Sequence, residues 1–115
     1  MGLPRARRLR RPAEFDTARR GHYRARDSYF TVNACARGGG ARLGIAVSRR
    51  VSSKAAIRNR IKRQIRESFR LHQVMLEGLD IVVTAQPPAA AAANAALAGS
   101  LRTHWKRLAN RCNNC

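Results

Sequence analysis

The chain has 115 residues, enough for one domain with a modest core, and carries 24 Lys and Arg against 6 Asp and Glu, a net charge of +18. A surplus of that size suits a phosphate backbone or an anionic surface and says little about fold. No apolar run approaches the ~20 residues that span a bilayer, and three cysteines (Cys35, Cys112 and Cys115) without framework spacing exclude a disulfide scaffold and fit a reducing compartment. The N-terminus is basic but lacks a following apolar segment, so no secretory signal is expected. The Arg-rich composition continues throughout, which points to a mature cytoplasmic protein.

Residues 1–11, with Arg5, Arg7, Arg8, Arg10 and Arg11, read as a flexible basic arm. Pro12 then opens a short helix with Glu14 and Asp16 in its first turn, Arg19 and Arg20 in its last, and Gly21 as a stop. Phe15 is its only large apolar residue and is expected to anchor it to the core. From Tyr23 the period changes. Residues 29–33 are strand formers, Gly38, Gly39 and Gly40 make a turn, and residues 42–48 form a second strand in which Leu43, Ile45 and Val47 alternate with Gly44, Ala46 and Ser48. The small residues leave that second face open to a broad partner or to a packed helix.

Residues 53–70 combine dense positive charge with helical periodicity. Ile57, Ile61, Ile65 and Phe69 recur every fourth residue and form one apolar stripe. Asn59, Arg63, Arg66 and Arg70 lie opposite, with Arg60 and Lys62 at the edges. Arg58–Lys62, Lys62–Arg66 and Arg66–Arg70 are like-charge pairs at i,i+4, each costing ~0.2–0.5 kcal/mol when nothing neutralises them. A polyanion removes that cost. The helix is expected to start with Ser52 or Ser53 as N-cap and to end near Gly78. Residues 80–85 then read as a buried strand, so strand, helix and strand form a βαβ unit with parallel pairing. After Pro87, Pro88 and an alanine-rich run, Asn94 is placed as the cap of a last helix bearing Leu97, Leu101, Trp105 and Leu108 on one side. The domain is bounded at 12–109, and residues 110–115 are expected to be a disordered tail.

The acids are scattered without the spacing of a catalytic pair or a two-metal site. His22, His72 and His104 are isolated, and the C-x-x-C of Cys112 and Cys115 has only His104 nearby, short of four zinc ligands. No phosphate-cradling loop is present, since the triple glycine lacks a lysine and a following helix. The chain therefore does not read as a self-sufficient enzyme. Structured RNA is favoured over duplex DNA, because no helix-turn-helix, zinc-finger or zipper pattern occurs and a sheet with aromatics suits unpaired bases.

Arg58-Asn59-Arg60, followed by Ile61-Lys62-Arg63 and Ile65-Arg66-Glu67, resembles the RNR motif of the bacterial ribonuclease P protein subunit. Residues 42–51 are similar to that family's second strand and the loop after it. Phe15, the strand at 80–85 and the helix carrying Leu101 and Trp105 agree, so the likeness spans roughly residues 8–108. The resemblance implies a two-layer α+β sandwich of order αβββαβα, with a four-stranded sheet and a left-handed βαβ crossover, against the usual right-handed rule. It implies a one-to-one pairing with a large catalytic RNA that holds Mg²⁺ and removes the 5′ leader of precursor tRNA. Arg58, Asn59, Arg60, Lys62, Arg63 and Arg66, with Arg49, Arg50 and Lys54, would then face that RNA. Phe15, Arg19, Asn33 and Ser48 would line a cleft for the single-stranded leader. Arg19 stands where the family often has a second aromatic and Asn33 replaces another, so leader binding would depend less on stacking. The alternative is a ribosomal or other structural RNA-binding protein without a processing role; a membrane-active basic peptide is more remote.

Overall fold

The computed structural model describes residues 4–21 and 23–113; the first three residues of the expected arm, His22, and the thiols of Cys112 and Cys115 lie outside that description. The elements are α1 (Pro12–Arg19), β1 (Tyr23–Arg26), β2 (Phe30–Ala36), β3 (Arg42–Ala46), α2 (Ala55–His72), β4 (Leu79–Ala85) and α3 (Asn94–Asn113). This is the αβββαβα order that the resemblance implied. The strand that the residues alone presented as second is third, because β1 has only Tyr23 and Ala25 on its inner face and is too short to show a period.

The sheet runs β1-β2-β4-β3, antiparallel except for β3 against β4. Its register sorts the side chains into two faces. On one, Tyr23, Phe30, Val32, Ala34, Leu43, Ile81 and Val83 join Ile61, Ile65, Phe69, Leu97, Leu101, Trp105 and Leu108 in the core beneath α2 and α3. The seam between those helices is specific: Trp105 Nε1 donates to Ser68 Oγ at 2.8 Å, and the Phe69 and Trp105 rings meet edge to face with centroids 6.1 Å apart. On the other face lie Arg24, Thr31, Asn33, Cys35, Gly44, Asp80, Val82 and Thr84, which α1 covers in part.

Charge fastens α1 in place. Buried Asp80 accepts from Arg37 Nε (2.7 Å) and from Arg42 Nε and NH2 (2.9 and 2.6 Å), while Arg42 NH1 reaches across to Glu14 Oε2 at 2.7 Å. Glu14 Oε1 also accepts the N–H groups of Arg10 and Arg11 at the start of α1. Asp27 does similar work at the β1–β2 turn, accepting from the N–H groups of Tyr29 and Phe30 and from the Ser100 hydroxyl of α3.

Several sequence expectations are corrected. Residues 4–11 are not a free arm: Leu9 is buried, its N–H donates to the Leu43 carbonyl at 2.9 Å, and Arg8 bridges to Leu43 along the edge of β3. One buried leucine docks the segment, and Arg7 adds an ion pair to Glu77 at 3.3 Å. Lys54, not a serine, occupies the N-cap of α2, because Ser52 Oγ already accepts the Lys54 N–H. That helix ends at His72 and passes into a 3-10 turn, Gln73–Leu76, which buries Leu76. Asn94 is the first residue of α3, but its side chain accepts from Arg60 instead of capping. The helix continues through residues 110–113, so the tail assignment is wrong for those four.

Ile61 is fully buried between sheet and helices, so Ile61→Ala is expected to lower unfolding stability by ~2–5 kcal/mol in denaturant melts. Acid should also loosen the fold. The N–H groups of Arg11 and Arg10, with Arg42, hold Glu14 down from an ordinary 4.5 to about 2. Burial pushes the Asp80 carboxyl up, but the bonds from Arg42 and Arg37 outweigh it and leave the group below its ordinary 3.8. Both folded values are depressed, so the stabilisation is complete above pH 4.5 and is lost as pH falls towards 2. Thermal melts across that window, followed by circular dichroism, should show the decline begin near pH 4.5 and be reduced in Arg42→Gln.

Candidate nucleic-acid interface

Seating Ile61, Ile65 and Phe69 in the core fixes which residues of α2 face solvent. Asn59, Arg63 and Arg66 are exposed, Lys62 is half-exposed, and Arg49, Arg50 and Lys54 are exposed on the connection from β3. None of these six cationic side chains makes an ion pair or side-chain hydrogen bond among the described residues. These unpaired cations stand on α2 and on the connection that leads into it.

Arg58 and Arg60 are the exceptions. Arg58 NH1 donates to the Ser52 carbonyl at 2.9 Å, so its guanidinium turns back onto the β3–α2 connection. Arg60 NH1 donates to the Ala92 carbonyl (3.1 Å) and Asn94 Oδ1 (2.7 Å), and NH2 to the Ala90 carbonyl (3.0 Å). Both guanidinium groups thus hold the chain's own oxygens with some of their donors, Arg58 with NH1 and Arg60 with NH1 and NH2. The reason is the segment before α3: the 3-10 turn Pro87–Ala91 and the start of α3 present carbonyl groups without acceptable backbone donors, and Arg60 is the side chain within reach.

The second region is a cleft on the sheet face that α1 leaves uncovered. One part, about 340 Å³, is lined by Arg19, Arg24, Thr31, Asn33, Thr84 and Gln86. A second part, about 190 Å³, adds Ser48, Arg50, Val51 and Pro87 and shares Thr84 and Gln86 with the first. No acid lines either part. Asn33 Nδ2 donates to the Arg19 carbonyl (3.4 Å) and Gln86 Nε2 to Thr31 Oγ1 (3.0 Å), which holds the polar floor in place. Arg19 and Asn33 line the first part and Ser48 the second.

Phe15 stands beside the cleft. Its ring packs with Leu9, Ala18, Cys35 and Val82 and settles over β3 where Gly44 has no side chain: a Cβ there would lie 2.7 Å from the ring. Arg19 covers the ring with its guanidinium carbon 5.7 Å from the centroid. Phe15 is thus the anchor that the sequence suggested, and the open sheet face is filled partly by a helix and partly by nothing. Arg24, Thr31, Thr84 and Gln86 were missed. Thr84 was findable, since it alternates with the inward Val83 and Ala85; Arg24 was not, because β1 itself was not visible.

Among the described residues no three His, Cys, Asp or Glu side chains come together as a metal site. No described helix is long and apolar enough to cross a membrane.

A family model described as Ribonuclease P matches residues 3–109. Over 115 aligned residues the chain is 44% identical to the ribonuclease P protein component of Methylococcus capsulatus, covering 96% of this chain and 88% of that protein. It is 37% identical to that of Thioalkalivibrio sulfidiphilus, covering 98% and 95%. Among solved structures, the Staphylococcus aureus RNase P protein superposes with a TM-score of 0.81 at 32% identity, covering 91% of this chain and 96% of that one. The Thermotoga maritima RNase P protein gives 0.76 at 30% identity, covering 87% and 96%. With motif, element order and sheet all in agreement, the chain belongs to the Ribonuclease P family, as a protein component of that tRNA-processing ribonuclease.

Proposed function

We propose that the chain is the accessory subunit of a ribonucleoprotein endonuclease, pairing one-to-one with a catalytic RNA and holding the 5′ leader of precursor tRNA. The observation that carries this reading is that an acid-free cleft adjoins the basic segment before α2: Arg50 lines the cleft and also belongs to the basic β3–α2 connection. The catalytic RNA lies against Asn59, Lys62, Arg63, Arg66, Arg49 and Lys54. A single strand leaving the scissile site enters the cleft past Ser48 and Arg50 and crosses Thr84, Thr31 and Asn33 towards Arg19 and Arg24.

In that cleft the contacts are cationic and amide-like, so phosphates and base edges are held more by charge and hydrogen bonds than by aromatic stacking. Mg²⁺ is assigned to the RNA, as the family resemblance implies. The protein's part in the reaction is to neutralise phosphates and fix the substrate's position, which lowers the entropy and repulsion that the RNA alone must overcome. Arg58 and Arg60 act as positioning residues that brace α2 on either side of Asn59.

Reconstitution with the cognate RNA and a precursor tRNA at low Mg²⁺ tests the whole reading. Cleavage should be faster than with RNA alone, and equal rates would overturn it. Recovery of ribosomal RNA instead of the ribozyme on purification would favour the structural RNA-binding alternative.

The division of labour within the helix makes a separate prediction. Arg63→Ala should weaken RNA binding, reduce the slope of log affinity against log salt by ~0.9 per duplex phosphate lost, and leave the melting temperature nearly unchanged. Arg60→Ala should instead cost about 1–3 kcal/mol of stability, through three lost hydrogen bonds from a charged donor. Equal effects of both substitutions on both readouts would refute the distinction.

A further inference from the structure

A second groove lies around the corner from the cleft, between the outer edge of β1 and the C-terminal half of α3. It measures about 390 Å³ and is lined by Tyr23, Arg24, Ala25, Arg107, Asn110 and Arg111. Nothing in the reading above uses it. β1 is the edge strand of the sheet, paired only with β2, so its other side has no strand partner. Arg107 and Arg111 are one helical turn apart on α3, and the Arg111 guanidinium carbon sits 5.9 Å from the Tyr23 ring centroid. Among the described residues the lining has three arginines, an amide and an aromatic, and no acid. Asp27, the acid that follows β1, is occupied with Tyr29, Phe30 and Ser100.

Arg24 and Arg107 place like charges on the two walls of the groove. Arg24 and Arg107 make no ion pair or side-chain hydrogen bond among the described residues. Arg24 also lines the cleft on the sheet face, so the two grooves meet at one side chain. We infer that the β1–α3 groove continues the cleft around the sheet edge and holds the far, 5′-distal part of a long leader. This rests on the reading of the cleft as the leader's path. An extended peptide adding a strand to β1 is the competing occupant of such an edge. The arginines and the shared Arg24 favour an RNA strand, whose phosphates suit both grooves.

The test uses the reconstituted holoenzyme and precursor tRNAs whose leaders lengthen one nucleotide at a time from none. Affinity of the wild type should rise in two stages, first as the cleft fills and then as the strand reaches α3. Arg107→Ala/Arg111→Ala should abolish the second stage and leave the first intact. For the longest leader it should also lower the slope of log affinity against log salt by roughly 1.4, two single-strand phosphate contacts. Because Arg111 stacks on Tyr23, Arg107→Glu provides a second variant without that contact, and should give a several-fold loss confined to long leaders.

A wild type with one stage only, and variants without effect, would overturn the inference while sparing the cleft reading. Equal weakening at every length, leaderless substrate included, would place the groove on the catalytic RNA or the tRNA body and overturn it too. A wild type indifferent to any leader would sink the cleft reading itself, and Asn33→Ala, which should flatten the first stage, checks that outcome independently. Tight binding of an acidic peptide with unchanged leader dependence would give the edge to a protein partner.

Discussion

The packing of α2 onto the sheet decides what every other part of this molecule can do. Ile61, Ile65 and Phe69 are fully buried, and Trp105 of α3 locks against Phe69 and Ser68. A helix held by one stripe has no rotational freedom, so its opposite face is fixed as Asn59, Arg63 and Arg66. Like-charge repulsion along that face is then a standing cost that side-chain rotation relieves only in part. The ends of the run are relieved internally: Arg70 pairs with Glu67, and Arg58 donates to Ser52. The middle is not, which concentrates unneutralised charge over two turns.

Scarcity of acid shapes the rest. Of six acids, Glu14, Asp27, Glu67, Glu77 and Asp80 all engage cationic or hydrogen-bonding groups of the chain itself. Asp80, Glu14 and Asp27 hold α1 and the β1–β2 turn in place, so the acids define the walls of the cleft from behind without lining it. An isolated buried carboxylate would be costly; with two arginines bonded to it, Asp80 becomes the fixed point from which α1 hangs. The position of α1 in turn determines how much of the sheet face stays open, and hence where a strand can lie.

Much of this was legible in the sequence because it rests on period and on residue type. The stripe of α2, the alternation of β3, the apolar run of β4 and the spacing from Leu97 to Leu108 each follow from where burial must fall, and each element is found near its expected place. What could not be read depended on partners distant in sequence. Leu9 docks because Leu43 offers an edge carbonyl. Asn94 abandons its capping role because Arg60 arrives from α2. β1 exists because β2 gives Tyr23 and Ala25 something to pair with. Gly44 looked like an invitation to a ligand as much as to a helix, and only the ring of Phe15 shows which applied at that point.

The arrangement of Arg58, Asn59 and Arg60 carries this one step further. On an α-helix residues two apart point about 160° from one another, so two arginines flanking an asparagine leave the helix on opposite sides of it. One must turn to each side. Arg58 turns to the loop that brings Arg49 and Arg50 forward, and Arg60 turns to the carbonyls ahead of α3. Each side carries something the central face needs: the loop supplies cations beside the cleft, and the start of α3 backs the seam that buries the apolar stripe. In the structure the two arginines brace α2 on either side of Asn59, while Lys62, Arg63 and Arg66 in the turns after it make no ion pair or side-chain hydrogen bond among the described residues. A dense run of basic residues can divide in this way, with some arginines satisfying the fold so that others remain unsatisfied by it.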